Sequence, residues 1–154
     1  MIEDVAFSHR LRRQGCRLVL EPALQVRHVF NYGLVRSLAN AYRKARYWTT
    51  YSLRNGDLLA DAGTASRELK FNGACWLGSL ACAAGAALGT LAALLAIPVL
   101  LALSVTANRR LMAAFARAGG PAFAILAGAY YTLIYPAAVW AGFLAGAADW
   151  AVRR

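Results

Sequence analysis

Charge is missing altogether from two long stretches of this sequence, Gly73 to Val105 and Pro121 to Ala148. One globular domain does not segregate its apolar residues so strongly, and runs of this length point to a membrane. Acidic residues are also scarce. Seven Asp and Glu face 17 Lys and Arg, a formal net charge of +10. Such an excess seeks an anionic partner, either nucleic acid or an anionic bilayer surface. No recognition helix, zinc spacing or ribonucleoprotein motif accompanies it, so no nucleic acid is expected as a partner, and membrane lipids are. The cysteines (Cys16, Cys75 and Cys82) are odd in number and lack a second ligand cluster, which excludes a disulfide framework and a zinc site. The polar, acidic opening has neither the apolar core nor the cleavage site of a secretory signal, so the soluble part is expected to stay cytoplasmic.

The polar chemistry sits in the first 70 residues. Glu3-Asp4 open a run that ends in Arg10, Arg12 and Arg13 before Gly15, a helix with acids in its first turn, bases in its last and a glycine stop. Arg17-Leu18-Val19-Leu20 reads as a strand broken by Glu21-Pro22, and Gln25-Val26-Arg27-His28-Val29 as a second. Residues 34–53 are helical in period. Leu34, Leu38, Ala41, Ala45 and Trp48 form the apolar stripe, among arginines and tyrosines that suit either a water–lipid interface or packing against the preceding segment. Asn55-Gly56-Asp57 is a turn, and residues 55–72 are a polar connector. The remainder, 73–154, is an α-helical membrane region. Gly85/Gly89 and Gly142/Gly146 make GxxxG pairs there, and Pro98 and Pro136 are candidate kinks.

The order Glu3-Asp4, helix, Gly15, Arg17-Leu18-Val19-Leu20-Glu21-Pro22, Val26-Arg27-His28 resembles the C-terminal end of the catalytic domain of family 2 glycosyltransferases, inverting enzymes of the GT-A fold. The resemblance covers residues 2 to about 54. It implies an α/β fragment, residues 1–54, followed by the membrane region. It also implies transfer of a sugar from a nucleotide sugar to a lipid-linked or envelope-polysaccharide acceptor. Asp4 matches the general base, which takes a proton from the attacking hydroxyl. Glu3 matches the acid beside it, an acceptor contact or support. His28 matches a histidine that in some members contacts the divalent metal, Mg or Mn, or the leaving diphosphate; otherwise it is an ordinary strand-end histidine. Arg43-Lys44-Ala45-Arg46-Tyr47-Trp48 is similar to the Q-x-x-R-W element of processive members, which contacts acceptor or diphosphate. Here arginine replaces the glutamine and Tyr47 separates Arg46 from Trp48, so the element also reads as interfacial bases and aromatics.

That family's nucleotide-binding half, with its Asp-x-Asp metal site, precedes the Glu-Asp pair, and no Asp-x-Asp occurs here. The expectation is therefore a fragment, or a subunit that complements a separate N-terminal half, inactive alone. The alternative is a small basic non-catalytic membrane protein that binds a partner or anionic lipid. By resemblance the location is a bacterial-type inner membrane, multi-pass. Two plain crossings are the simplest topology, yet they place Arg109, Arg110 and Arg117 outside, against the positive-inside rule. Hairpins or re-entrant runs bent at the glycines satisfy it.

Overall fold

A computed structural model describes residues 3–19, 21–25, 33–61 and 65–152. Of these residues 83% are helical and none lies in a strand, so the fold is all-α and the expected α/β fragment is corrected. Arg17, Leu18 and Val19 are exposed and form no ladder. Glu21 instead closes a turn, accepting the Ala23 amide on its carboxylate and the Leu24 amide on its carbonyl. A three- or four-residue apolar run becomes a strand only when a neighbour pairs with it. The second expected strand, beyond Gln25 and including His28, lies outside the described residues.

Helix α1 (Glu3–Arg13) ends as its sequence suggests. Gly15 takes a left-handed φ of 82°, the Gly15 amide donates to the Arg12 carbonyl, and the Cys16 amide donates to that of Leu11. These two bonds close the helix in a Schellman motif. Helix α2 (Leu34–Asn55) stops at Gly56, again left-handed at φ 71°. Ser66 caps α3 (Arg67–Ala87) by accepting the Leu69 amide.

The first apolar run does not continue as one rod. After α3 the chain turns at Leu88-Gly89-Thr90, with Gly89 at φ 103°. It returns through a 3-10 turn (Leu91–Leu95) into α4 (Ala96–Ala107). Gly78 lies against Leu100, Gly85 against Ala93, and Asn72 against Ser104, so α3 and α4 are an antiparallel hairpin. Gly89 thus serves the turn and not a GxxxG seam. Pro98 sits in the first turn of α4, where a missing N–H is tolerated.

Arg109–Val152 is long and apolar enough to cross a membrane. It is interrupted. Within α5 (Arg109–Ala129), Gly120 has φ 78° and ψ −178°, and the chain folds back so that Phe115 meets Phe123 edge-on at 6.0 Å and Met112 meets Gly128. From Pro121 the helix runs on through a π turn (Tyr130–Ile134) into α6 (Tyr135–Val152). That uninterrupted stretch is about 48 Å long at 1.5 Å per residue, more than the ~30 Å hydrocarbon layer.

Helices α2 and α6 pack in parallel along small residues. Their contacts advance together: Ser37 with Tyr130, Ala45 with Gly142, Thr49 with Gly146, Arg46 with Asp149. A Cβ at Gly142 would overlap the Tyr42 carbonyl, and one at Gly146 that of Arg46. Small residues allow this backbone approach.

Burial is inverted relative to a water-soluble bundle. The most buried side chains include Asn72 and Ser104, each 1% exposed, while leucines and valines along α3, α4 and the 121–134 stretch face outward. Interior polar groups and an apolar exterior suit a lipid solvent.

Candidate functional site

The π turn explains the polar centre. The Tyr135 amide donates to the Tyr130 carbonyl in the wide i→i+5 pattern. Pro136 follows with no N–H, so the next carbonyl, that of Tyr131, receives no backbone donor from it. Asn72 fills the gap, donating through Nδ2 at 3.0 Å. Its Oδ1 accepts from the Ser104 hydroxyl at 2.5 Å. Asn108 donates to the Ser104 carbonyl and accepts from the Tyr131 hydroxyl at 3.1 Å. Trp76 donates to the Leu133 carbonyl at 2.8 Å, and Trp140 to that of Gly73 at 3.0 Å. Together these bonds pin α3 and α4 to the 128–140 segment.

Beside this anchor lies a cavity of about 370 Å³ between α2, α3, α6 and the connector. Its walls are apolar: Trp48, Leu58, Leu69, Val139, Trp140 and Phe143. Trp140 is held by its bond to Gly73 and stacks edge-on with Phe143 at 5.1 Å. Lys44 and Lys70 bring positive charge to the same cavity, and the Lys70 ammonium donates to the Ala60 carbonyl. An apolar trough with two ammonium groups fits an amphipathic anion: a hydrocarbon chain for the walls and a phosphate for the lysines.

A second, polar hollow of about 370 Å³ is lined by His9, Arg12, Arg13, Asn55 and Asp57. It forms where α1 meets the end of α2. His9 Nδ1 and the Tyr51 hydroxyl are 2.9 Å apart, and Arg13 donates weakly to Asn55 at 3.4 Å. Tyr51 in turn stands 6.3 Å from the Trp48 ring, which connects α1 to the back of the apolar cavity.

The residues singled out from sequence are dispersed. Asp4 is exposed in the first turn of α1, its backbone carbonyl accepting from Ser8, and it lines neither cavity. Glu3 begins the same helix. Arg43 is exposed on α2, whereas Trp48 forms part of the apolar wall. Arg46 turns toward α6, where it donates to both carboxylate oxygens of Asp149 at 2.6 and 2.9 Å. That hydrogen bond, reinforced by the charge of Asp149, holds the guanidinium protonated well above its usual range. His28 lies outside the described residues. Among the described residues no three of His, Cys, Asp and Glu come together as a metal would require.

From sequence Lys70 reads as a basic flank of the first apolar run and Trp140 as an interface anchor, while Phe143 and Asp149 carry no assignment. A signal existed for Asp149, the lone acid after Glu68 and the neighbour of an otherwise uncharged run, since ionisable groups at such positions usually have a partner. Compared with known protein families, curated proteins and solved structures, the chain matches none.

Proposed function

We propose that the chain is the membrane-anchored, acceptor-side part of an inverting glycosyltransferase that works on a lipid-linked acceptor. The observation that carries this reading is the trough between α2, α3 and α6, apolar along Trp48, Val139 and Phe143 and positive at Lys44 and Lys70. A long-chain phosphate would lay its hydrocarbon along the aromatic wall and its phosphate against the lysines. Asp4, by its resemblance to the catalytic aspartate, would remove the proton from the acceptor hydroxyl. The nucleotide sugar and any divalent metal would be bound by a separate N-terminal half. The excess of Lys and Arg and the apolar α3–α4 hairpin support an inner-membrane location with α1 and α2 on the cytoplasmic side.

A second reading is a non-catalytic protein that binds the same amphipathic anion. The helical character of all described elements favours it, because a GT-A domain requires a sheet. Both readings share the trough, and the first test addresses it. A photoactivatable polyprenyl phosphate, added to membranes containing the chain, is expected to cross-link in the trough and to be displaced by unlabelled polyprenyl phosphate. Lys44→Glu/Lys70→Glu is expected to abolish that labelling. Cross-linking no greater than that of a phosphatidylcholine probe would reject both readings.

A further inference from the structure

We propose that the α3–α4 hairpin is a re-entrant membrane insert that enters from the face carrying Lys70 and Arg109, turns inside the hydrocarbon and returns to that same face. The inference rests on the membrane part of the reading above and is independent of the chemistry. Residues 71–108 contain no Asp, Glu, Lys or Arg, whereas Arg67 and Lys70 precede them and Arg109 and Arg110 follow. Both flanks lie at the open end of the hairpin, where Asn72 meets Ser104. Basic residues at both feet of a hairpin place both feet on the cytoplasmic side.

The turn itself is built for lipid. A hairpin that crossed fully would expose its turn to water beyond the far headgroups. Here the turn is apolar and projects freely, with Leu88 88% exposed, Leu91 70% and Leu95 75%. Backbone donors in hydrocarbon must find partners within the protein. The Leu88 amide returns to the Ala84 and Gly85 carbonyls, that of Gly89 to Ala86, and that of Thr90 to Gly85, all at 3.0–3.1 Å. Gly89 makes this possible, because its φ of 103° is open only to glycine at low cost. Reach gives the same answer. From Phe71 to Ala87 the helix extends about 26 Å, short of a ~30 Å hydrocarbon layer.

The test uses the whole chain in sealed membrane vesicles of both orientations. The native cysteines are first removed (Cys16→Ser, Cys75→Ala, Cys82→Ala), and single cysteines are then placed by Ala60→Cys, Thr90→Cys or Arg110→Cys. These sites do not carry the packing, since all three are exposed. With a membrane-impermeant maleimide, Ala60→Cys and Arg110→Cys are expected to react from one and the same face. Thr90→Cys should react from neither face until detergent is added, and then at least ten-fold faster. Reaction of Thr90→Cys from the face opposite Ala60→Cys would show a crossing hairpin and overturn the proposal. So would its reaction from the same face in intact vesicles, or reaction of the two reporter sites from opposite faces. Release of the chain by alkaline carbonate would instead refute the membrane reading itself.

Discussion

Gly146 brings the backbone of α6 against the carbonyl of Arg46 so closely that no Cβ fits between them. The Thr50 hydroxyl bridges the same point, within 3.1 Å of the Arg46 carbonyl and 3.0 Å of the Gly146 carbonyl. Gly146→Ala and Gly142→Ala should each destabilise the α2–α6 pair by about 1–3 kcal/mol, because the obstacle is backbone and cannot rotate away. Gly85→Ala is the control. Its added Cβ meets only the Ala93 methyl at 3.9 Å, so better helix propensity should stabilise by up to about 1 kcal/mol. Denaturant unfolding in detergent micelles, followed by circular dichroism, compares the three.

The Asn72 amide substitutes for the N–H that Pro136 lacks, so the two positions should be coupled. Asn72→Ala strands the buried Tyr131 carbonyl and the Ser104 hydroxyl, at about 1–3 kcal/mol for each unsatisfied group. Pro136→Ala restores an amide able to reach the vacated carbonyl. The double variant should therefore lose less than the sum of the singles, by about 0.5 kcal/mol or more. Strict additivity would show that Asn72 does not act in place of that amide.

Much of the local structure was legible in the sequence. The stops at Gly15 and Gly56 follow from the left-handed backbone that helix ends prefer. Of the apolar runs, the second lies in a helical stretch, Arg109–Val152, long and apolar enough to cross a membrane. Fold class is not legible at Arg17-Leu18-Val19, since an apolar, β-branched segment reports a half-buried extended surface only when a neighbouring strand exists. Placement was harder still. The Gly142/Gly146 spacing identified a close-packed seam, but the stripe that fills it belongs to α2, far away in the chain. The trough was not legible because it draws on α2, α3 and α6, whose lining residues are remote in sequence.

The Arg46–Asp149 pair should respond to exchange of its charges. Arg46→Glu or Asp149→Arg alone places like charges where two hydrogen bonds of 2.6 and 2.9 Å now stand. Each should speed amide hydrogen exchange across residues 43–52 of α2. Arg46→Glu/Asp149→Arg together should slow it again toward the original rate. Recovery of protection without recovery of acceptor labelling would mean that Arg46 contacts the ligand as well as holding α6.

Asp4 separates the catalytic reading from the binding reading. Its carboxylate is exposed in the first turn of α1, so Asp4→Asn removes little besides charge at a helix N-terminus, about 0.3–1 kcal/mol. Loss of a general base costs about 10²–10⁴ in rate. In native membranes Asp4→Asn should therefore cut transfer from a radiolabelled nucleotide sugar to a hydroxyl of a polyprenyl-phosphate-linked sugar by that factor. Cross-linking of the acceptor in the trough should stay unchanged, because Asp4 does not line it. Transfer within two-fold of the parent would remove Asp4 from the chemistry and leave the chain as a binder of the lipid anion.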